Sequence, residues 1–403
     1  MNIFKLIYGR TFQSIMYLGA FFINFREPKI FKGKDSLNET IDLFKKNDIS
    51  HVFLPVNKSV YKLGLVDNFL TKLEENNIKY TLYLDVRDNP TISDVEDGVK
   101  LYKENNCQAI LCIGGGSVID ASKIIGARIS NPKTSVSKMK GLFKIRKKGP
   151  LILVAPTTAG TGSETTLAAV IVDPTHNEKY QIDDPKLIPD YAVLDPNFLI
   201  TLPPHITSTT GMDALTHALE AYIGRSNVKK TKTYALEAIK LIFENLENSY
   251  KHPSEIKYRE NMQLAAYKAG VAFTRAYVGY VHALSHPISG KYNLPHGLVN
   301  SIILPHILKT YGKAIYKKIG EIYDYLDMRE GLTSDKDKCE YLISEIERMN
   351  QRMNIVNTLN TVVKEEDIHF LSEHAYKEAF PLYPVPKELT KKEIEIVYKQ
   401  LLK

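Results

Sequence analysis

At 403 residues, with 44% hydrophobic and 25% charged side chains, the chain is long enough for two or three domains with ordinary cores, which excludes fibrous and disordered classes. The net charge of +7 comes from lysines scattered over the whole length, and its densest run, KIRKK at 144–148, reads as a solvated loop, so nucleic acid is not implied as a partner. Cys107, Cys112 and Cys339 lack paired spacing, which argues against a disulfide framework or a cysteine zinc site and fits a reducing cytoplasm.

The chain opens with MNIFKLIYGRTFQSIMYLGAFFINF, whose apolar stretch from Ser14 to Phe25 is shorter than the roughly 20 residues needed to cross a bilayer. Residues 1–28 read as a helical segment docked on the body of the protein or on a subunit; membrane-surface contact is the alternative, and stable insertion is not expected. From about residue 50, short β-branched runs alternate with amphipathic ones. SHVFLPVN, KYTLYLDV and QAILCIGGG read as strands, and VDNFLTKLEENN, SDVEDGVKLYKENN and SVIDASKIIGARI as helices. That alternation predicts a mostly parallel sheet with helices on its faces, continuing through GPLILVAPTTAGTGSE and YAVLDP. Past ITLPPHIT at 200–207, where the prolines stop a helix or central strand, the pattern turns to long 3.6-period segments such as KTYALEAIKLIFENLENSY and RENMQLAAYKAGVAFTRA. The expected division is an α/β dinucleotide-binding domain at 1–200 and a helical domain at 201–403.

Four motifs lie on this frame. In IGGGSVIDASK (113–123) a strand runs into three glycines and a serine that opens a helix, the geometry that lets backbone N–H groups and the helix dipole meet a diphosphate. A tight turn without a ligand explains GGGS equally well, and GxGxxG itself is absent. PTTAGTGSE (156–164) follows the next apolar strand, and its hydroxyls and glycines suit the same crevice better than a simple N-cap does. In GMDALTHALEAY (211–222), Asp213 and His217 share one helix face, which suits one cation or an ordinary charge pair. HALSHPISGKYNLPHG (282–297) adds His282, His286 and His296, three of the eleven histidines within fifteen positions. One carboxylate and imidazoles are a donor set that Fe(II), Zn(II) or Mn(II) accepts. Spacing alone does not say which histidines are ligands. Phe273, Tyr277 and Tyr280, just upstream, are candidates for narrowing a pocket, with packing the expected role of at least two.

Together, in order and spacing from about Phe31 to the C-terminus, the four motifs resemble the iron-containing (group III) alcohol dehydrogenase family. The resemblance implies a Rossmann-like α/β nucleotide-binding domain, an all-α metal-binding domain, the dehydroquinate synthase-like two-domain architecture with a cleft between them, and a homodimer. It implies Asp213, His217, His282 and His296 as ligands of Fe(II), with Zn(II) chemically acceptable, and sets His286 beside the metal as a non-ligand. His286 is then a proton relay or a contact to the nicotinamide ribose, or it supports the ligands by hydrogen bonding. Gly115, Gly116, Ser117 and Asp120 match the family's pyrophosphate loop; Asn89, Thr157, Thr158, Thr161, Thr166 and Lys179 match positions lining the cofactor. The implied reaction passes hydride between nicotinamide C4 and a small alcohol or aldehyde whose oxygen the metal polarises. A glycerol dehydrogenase-like polyol oxidoreductase is the nearest sibling, and a catalytically silent metal-binding scaffold is disfavoured by the intact loops. One departure stands out: where many relatives carry an aspartate for the adenosine ribose, this chain has Asn57, which does not repel a 2′-phosphate, so NADP(H) is expected to serve alongside NAD(H).

Overall fold

The computed structural model describes residues 3–23, 25–175, 178–328 and 330–403, with the backbone alone for Glu178. The chain divides into two units: Asn24–Leu202 with Pro253–Gly270, and Met1–Ile23 with Pro203–His252 and Val271–Lys403. The N-terminal helix α1 (Ile3–Gly19) is therefore part of the helical unit.

The first unit is built on a six-stranded, fully parallel sheet of order β1-β9-β6-β4-β2-β3. Its strands are β1 (Lys29–Lys32), β2 (His51–Pro55), β3 (Lys79–Tyr83), β4 (Ala109–Gly114), β6 (Leu151–Pro156) and β9 (Tyr191–Leu194). Every residue of β4 is buried, the pattern of a central parallel strand covered on both faces. The helices that matter below are α2 (Lys58–Lys62), α3 (Ile92–Glu104) and α4 (Gly116–Ser130), which follow β2, β3 and β4. Chain direction across the sheet reverses between β2 and β4, since β2 leads outward to β3 while β4 leads the other way to β6. A switch point of this kind opens a crevice beyond the carboxyl ends of its strands. A second sheet holds β5 (Gly141–Leu142), β7 (Ala168–Asp173) and β8 (Glu178–Asp183), the last two antiparallel.

The helical unit places α5 (Pro204–Ile223), α6 (Lys229–Lys251), the end of α7 (Ile256–Ala276), α8 (Tyr280–Tyr292), α9 (His296–Tyr311) and α10 (Ile368–Ala379) around a core that includes Leu215, Ile239, Leu284 and Ile303. Helix α5 is buried almost throughout its second half, so polar residues there face protein and must find partners. Cys107, Cys112 and Cys339 are buried and free, and no helix among the described residues is long and apolar enough to cross a membrane.

Candidate metal centre and cofactor loops

Asp213, His217 and Glu220 occupy i, i+4 and i+7 of α5 and share one buried face. His282 enters from the first turn of α8, and His296 is the first residue of α9, directly after Pro295. Gly297 permits that approach: a Cβ at this position would lie 2.5 Å from the Thr209 carbonyl oxygen on α5. Any larger residue would push α9, and His296 with it, off the Asp213 helix. This is the physical content of the PHG turn.

Donor atoms of Asp213, His217 and His282 all lie within 4.8 Å of one another. His296 joins them through Asp213, with Nε2 3.7 Å from Oδ1, and His282 Nε2 lies 3.9 Å from the same oxygen. Asn300, one turn after His296, places its amide nitrogen 2.7 Å from Asp213 Oδ1 and 2.9 Å from His296 Nε2. An amide N–H only donates, so it meets lone pairs on both partners. On the far side of the His282 ring, Nδ1 donates to Glu220 at 2.6 Å. Glu220 thereby fixes the tautomer in which Nε2 offers its lone pair to the cluster. Burial holds His282 well below the ordinary imidazole pKa, which keeps it neutral. One carboxylate oxygen and three imidazoles, of which His282 and His296 offer Nε2 as an acceptor, fit a divalent cation.

Glu220 went unnoticed in the sequence, yet it organises the site. Its carboxylate also accepts the N–H groups of Gly279 at 2.8 Å and Val281 at 2.7 Å, satisfying orphan donors of the first turn of α8. Burial raises this carboxyl above its ordinary value, while the two backbone donors pull it back toward the anion. The available signal was the i+7 spacing from Asp213, which puts a third acid–base group on the ligand face.

His286 stands apart from the buried trio. Its side chain is 40% exposed, its ring stacks on His296 at 5.1 Å, and its Nδ1 lies 2.6 Å from Glu378 on α10. Glu378 also accepts the Tyr383 hydroxyl at 2.8 Å. Of the upstream aromatics, Phe273 stacks on the His217 ring at 4.1 Å, whereas Tyr280 is fully buried with its hydroxyl 3.3 Å from the Leu389 carbonyl. Phe273 belongs to the site and Tyr280 to the packing.

In the α/β unit, Asn57 and Gly115–Ser117 follow β2 and β4 at the switch point, and Thr157, Thr158 and Thr161 follow the neighbouring β6. The two loops touch: Thr157 N donates to the Gly114 carbonyl at 3.0 Å, and a Cβ on Gly116 would meet Thr161 at 3.1 Å. Asn57 caps α2, its Oδ1 accepting from Ser59 N at 2.9 Å and Val60 N at 3.3 Å, so its NH₂ is not used in the cap. Ser117 donates to the Asp88 carbonyl, and Lys179 reaches Asn89 Oδ1 at 2.9 Å, which draws the DNPT turn to the same end of the sheet. Asp120 and Thr166 serve the loop from behind. Asp120 accepts from Ser163 Oγ at 2.6 Å and Val170 N at 3.0 Å, and Thr166 Oγ1 accepts from Lys123 at 2.9 Å.

Lys123, fully buried, was also missed; one turn past Asp120, it ties Ser163, Thr166 and Ala168 together, and burial pushes its pKa down to about 8. Beside it, burial pushes the Glu164 carboxyl up to about 7. Between the ordinary 4.5 and about 7 the folded state holds a proton that the unfolded chain has released, so this group's contribution falls as pH rises through that window. Glu164→Gln should therefore gain thermal stability relative to wild type between pH 4.5 and 7, by up to roughly 3 kcal/mol. Melting curves of both proteins across that range test it, and parallel curves would show that Glu164 titrates normally.

The comparisons with known proteins agree with this geometry. Residues 27–196 match the profile described as iron-containing alcohol dehydrogenase, and residues 207–402 that of the Fe-containing alcohol dehydrogenase family, C-terminal. Alcohol dehydrogenase 4 of Saccharomyces cerevisiae is 34% identical over 93% of this chain and 96% of its own length. The NAD-dependent methanol dehydrogenase of Bacillus methanolicus is 32% identical over 88% and 93%. A crystal structure of 1,3-propanediol oxidoreductase superposes with a TM-score of 0.89 at 31% identity, covering 93% of this chain and 98% of that one.

Proposed function

Since the chain belongs to the iron-containing alcohol dehydrogenase family and is a metal-dependent alcohol dehydrogenase, we propose that it interconverts small primary alcohols and their aldehydes, using Fe(II) or Zn(II) and accepting NADP(H) as well as NAD(H). The observation that carries this reading is the convergence of Asp213, His217, His282 and His296, with Glu220 setting the His282 tautomer.

These four side chains would hold a divalent cation, which when bound would supply Lewis acidity, as a bound nicotinamide would supply hydride-transfer chemistry. The protein's own residues do the rest. His282, held neutral by burial, keeps its Nε2 lone pair available, and Phe273 lies flat on His217 and covers one face of that ring. His286, with Nδ1 fixed by Glu378, presents Nε2 as the atom that carries the substrate's proton. The GGGS turn and the Thr-rich loop hold backbone N–H groups and hydroxyls for a diphosphate at the end of the sheet.

The cofactor proposal rests on Asn57. An aspartate there would keep the helix cap and add a charge facing a ribose 2′-phosphate. Asn57→Asp should thus fold normally and shift the NADPH-to-NADH ratio of kcat/KM toward NADH by about tenfold or more, since like-charge juxtaposition costs several kcal/mol. Steady-state kinetics with both cofactors on wild type and variant decide it. A wild-type preference for NADH above about a hundredfold sinks the dual-cofactor reading. Elemental analysis of anaerobically purified protein distinguishes iron from zinc.

A further inference from the structure

We propose, on the reading of the GGGS turn and the Thr-rich loop as the dinucleotide site, that Lys123 is a positioning residue for the cofactor: its ammonium holds residues 163–168 in the form that receives the diphosphate, so cofactor affinity depends on that side chain staying charged.

Lys123 lies on α4, two turns beyond the GGGS turn, and none of its side chain reaches solvent. Four oxygens surround Nζ: Thr166 Oγ1 at 2.9 Å, and Ser163 Oγ and the carbonyls of Thr166 and Ala168 at 3.0 Å. Both hydroxyls commit their protons elsewhere, that of Ser163 to Asp120 Oδ1 at 2.6 Å and that of Thr166 to the Ala168 carbonyl at 3.2 Å. All four neighbours therefore present lone pairs. An ammonium, with three donors and no acceptor, suits that shell, whereas a neutral amine would turn its own lone pair against one of them. Losing the charge leaves buried acceptors short of a donor, which favours a rearranged loop.

The held segment is continuous with the surface that would meet the diphosphate. Ser163 N donates to Thr161 Oγ1 at 3.3 Å, and Thr161 is the residue that packs on Gly116. Gly162, at φ +61°, presses on Gly270 of α7, where a Cβ would come within 2.7 Å of the backbone. Gly162 thus fixes one end of the segment and Lys123 the rest.

The charged and titratable groups facing Lys123 are Asp120 on its own helix, Glu164 in the loop, Cys112 on β4 and Asp183 on β8, with Lys179 of β8 acting on Asp120. Burial moves the Asp183 carboxyl up to about 6, Glu164 to about 7 and the Cys112 thiol to about 12, so these three hold one charge state above about pH 8. Lys123, pushed down to about 8 by burial, changes charge there. Burial lowers Lys179 as well, and the comparison of variants separates the two lysines.

The test is a fluorescence titration of NADH into the full chain from pH 7 to 9, on wild type, Lys123→Met and Ser163→Ala, with far-ultraviolet circular dichroism of each. The wild-type Kd should rise about tenfold across that range, because one unit above the Lys123 pKa only about a tenth of the protein is in the competent state. Lys123→Met should bind at least about tenfold more weakly than wild type at pH 7, with a Kd that no longer changes with pH. A purely structural role would weaken that variant by one factor at every pH and leave the wild-type slope. Ser163→Ala removes one of the four oxygens and the link to Asp120, so it should weaken NADH binding at pH 7 by about threefold or more, and it decides the matter if Lys123→Met does not fold. A wild-type Kd that is flat with pH, a Lys123→Met Kd that keeps the wild-type slope and so gives the titration to Lys179, or wild-type affinity in either variant overturns the proposal and leaves the dinucleotide reading intact. No saturable NADH binding by the wild type at any pH would overturn both.

Discussion

Replacement of His282 by alanine is expected to give a folded chain that no longer retains a divalent cation and turns over alcohols at roughly a thousandth of the wild-type rate or less. Lewis-acid polarisation of the substrate oxygen contributes several kcal/mol to the transition state, and each 1.36 kcal/mol is a factor of ten. His282 is the proposed ligand through which that contribution would be organised. Its Nε2 lies in the donor cluster and its Nδ1 is tied to Glu220, which in turn anchors the first turn of α8 through Gly279 and Val281. Glu220→Gln gives a graded comparison. It preserves volume and an oxygen for Nδ1–H, but turns an NH₂ toward one of the two backbone donors, so metal affinity should fall by about 10- to 100-fold. Isothermal titration of the metal-free proteins with Zn(II), alongside elemental analysis, measures both. Full metal retention in His282→Ala would show that the cation is held elsewhere. His282→Gln, closer in volume, covers the case in which the alanine variant fails to fold.

The sheet was legible because its strands are parallel and buried on both faces, which forces nearly continuous apolar runs such as AILCIG and LILVAP between turn residues. β1 was not. Lys29–Lys32 is an edge strand that pairs with β9, more than 150 residues later, and nothing local in KIFK announces that pairing. The β7–β8 pair was also missed, since alternation in AAVIVD is weak and its partner EKYQID is largely polar. At the site, i,i+4 spacing on α5 and α8 exposed the candidates, but the motif in HALSHPISG could not separate His282 from His286, because both lie on one face of the same helix. Only the tertiary packing separates them: α8 lies against α9 and α10, which leaves His286 beside Glu378 of α10 while His282 is buried against Glu220 of α5. Glu220 carried only its i+7 spacing from Asp213 as a signal, and Lys123 and Asn300, which also act through other side chains, carried none. Their partners lie on other elements of the chain.

That separation makes His286→Asn the decisive substitution for the proton path. The variant should keep its full complement of metal, because the buried donors do not include His286. Its turnover should nevertheless fall by roughly 10²- to 10⁴-fold, the usual worth of a positioned acid–base group. Glu378 sharpens the prediction, since it touches His286 Nδ1 and the Tyr383 hydroxyl and lies on a helix that contributes none of the four proposed metal ligands. Glu378→Gln should therefore lower kcat less than His286→Asn does and leave metal content unchanged. The double variant should be no slower than His286→Asn alone, because a residue that acts by holding another has nothing left to hold. Additive losses in that cycle would assign Glu378 an independent role. Loss of metal in His286→Asn would make His286 a fifth ligand, and the proton would then have to leave by another route.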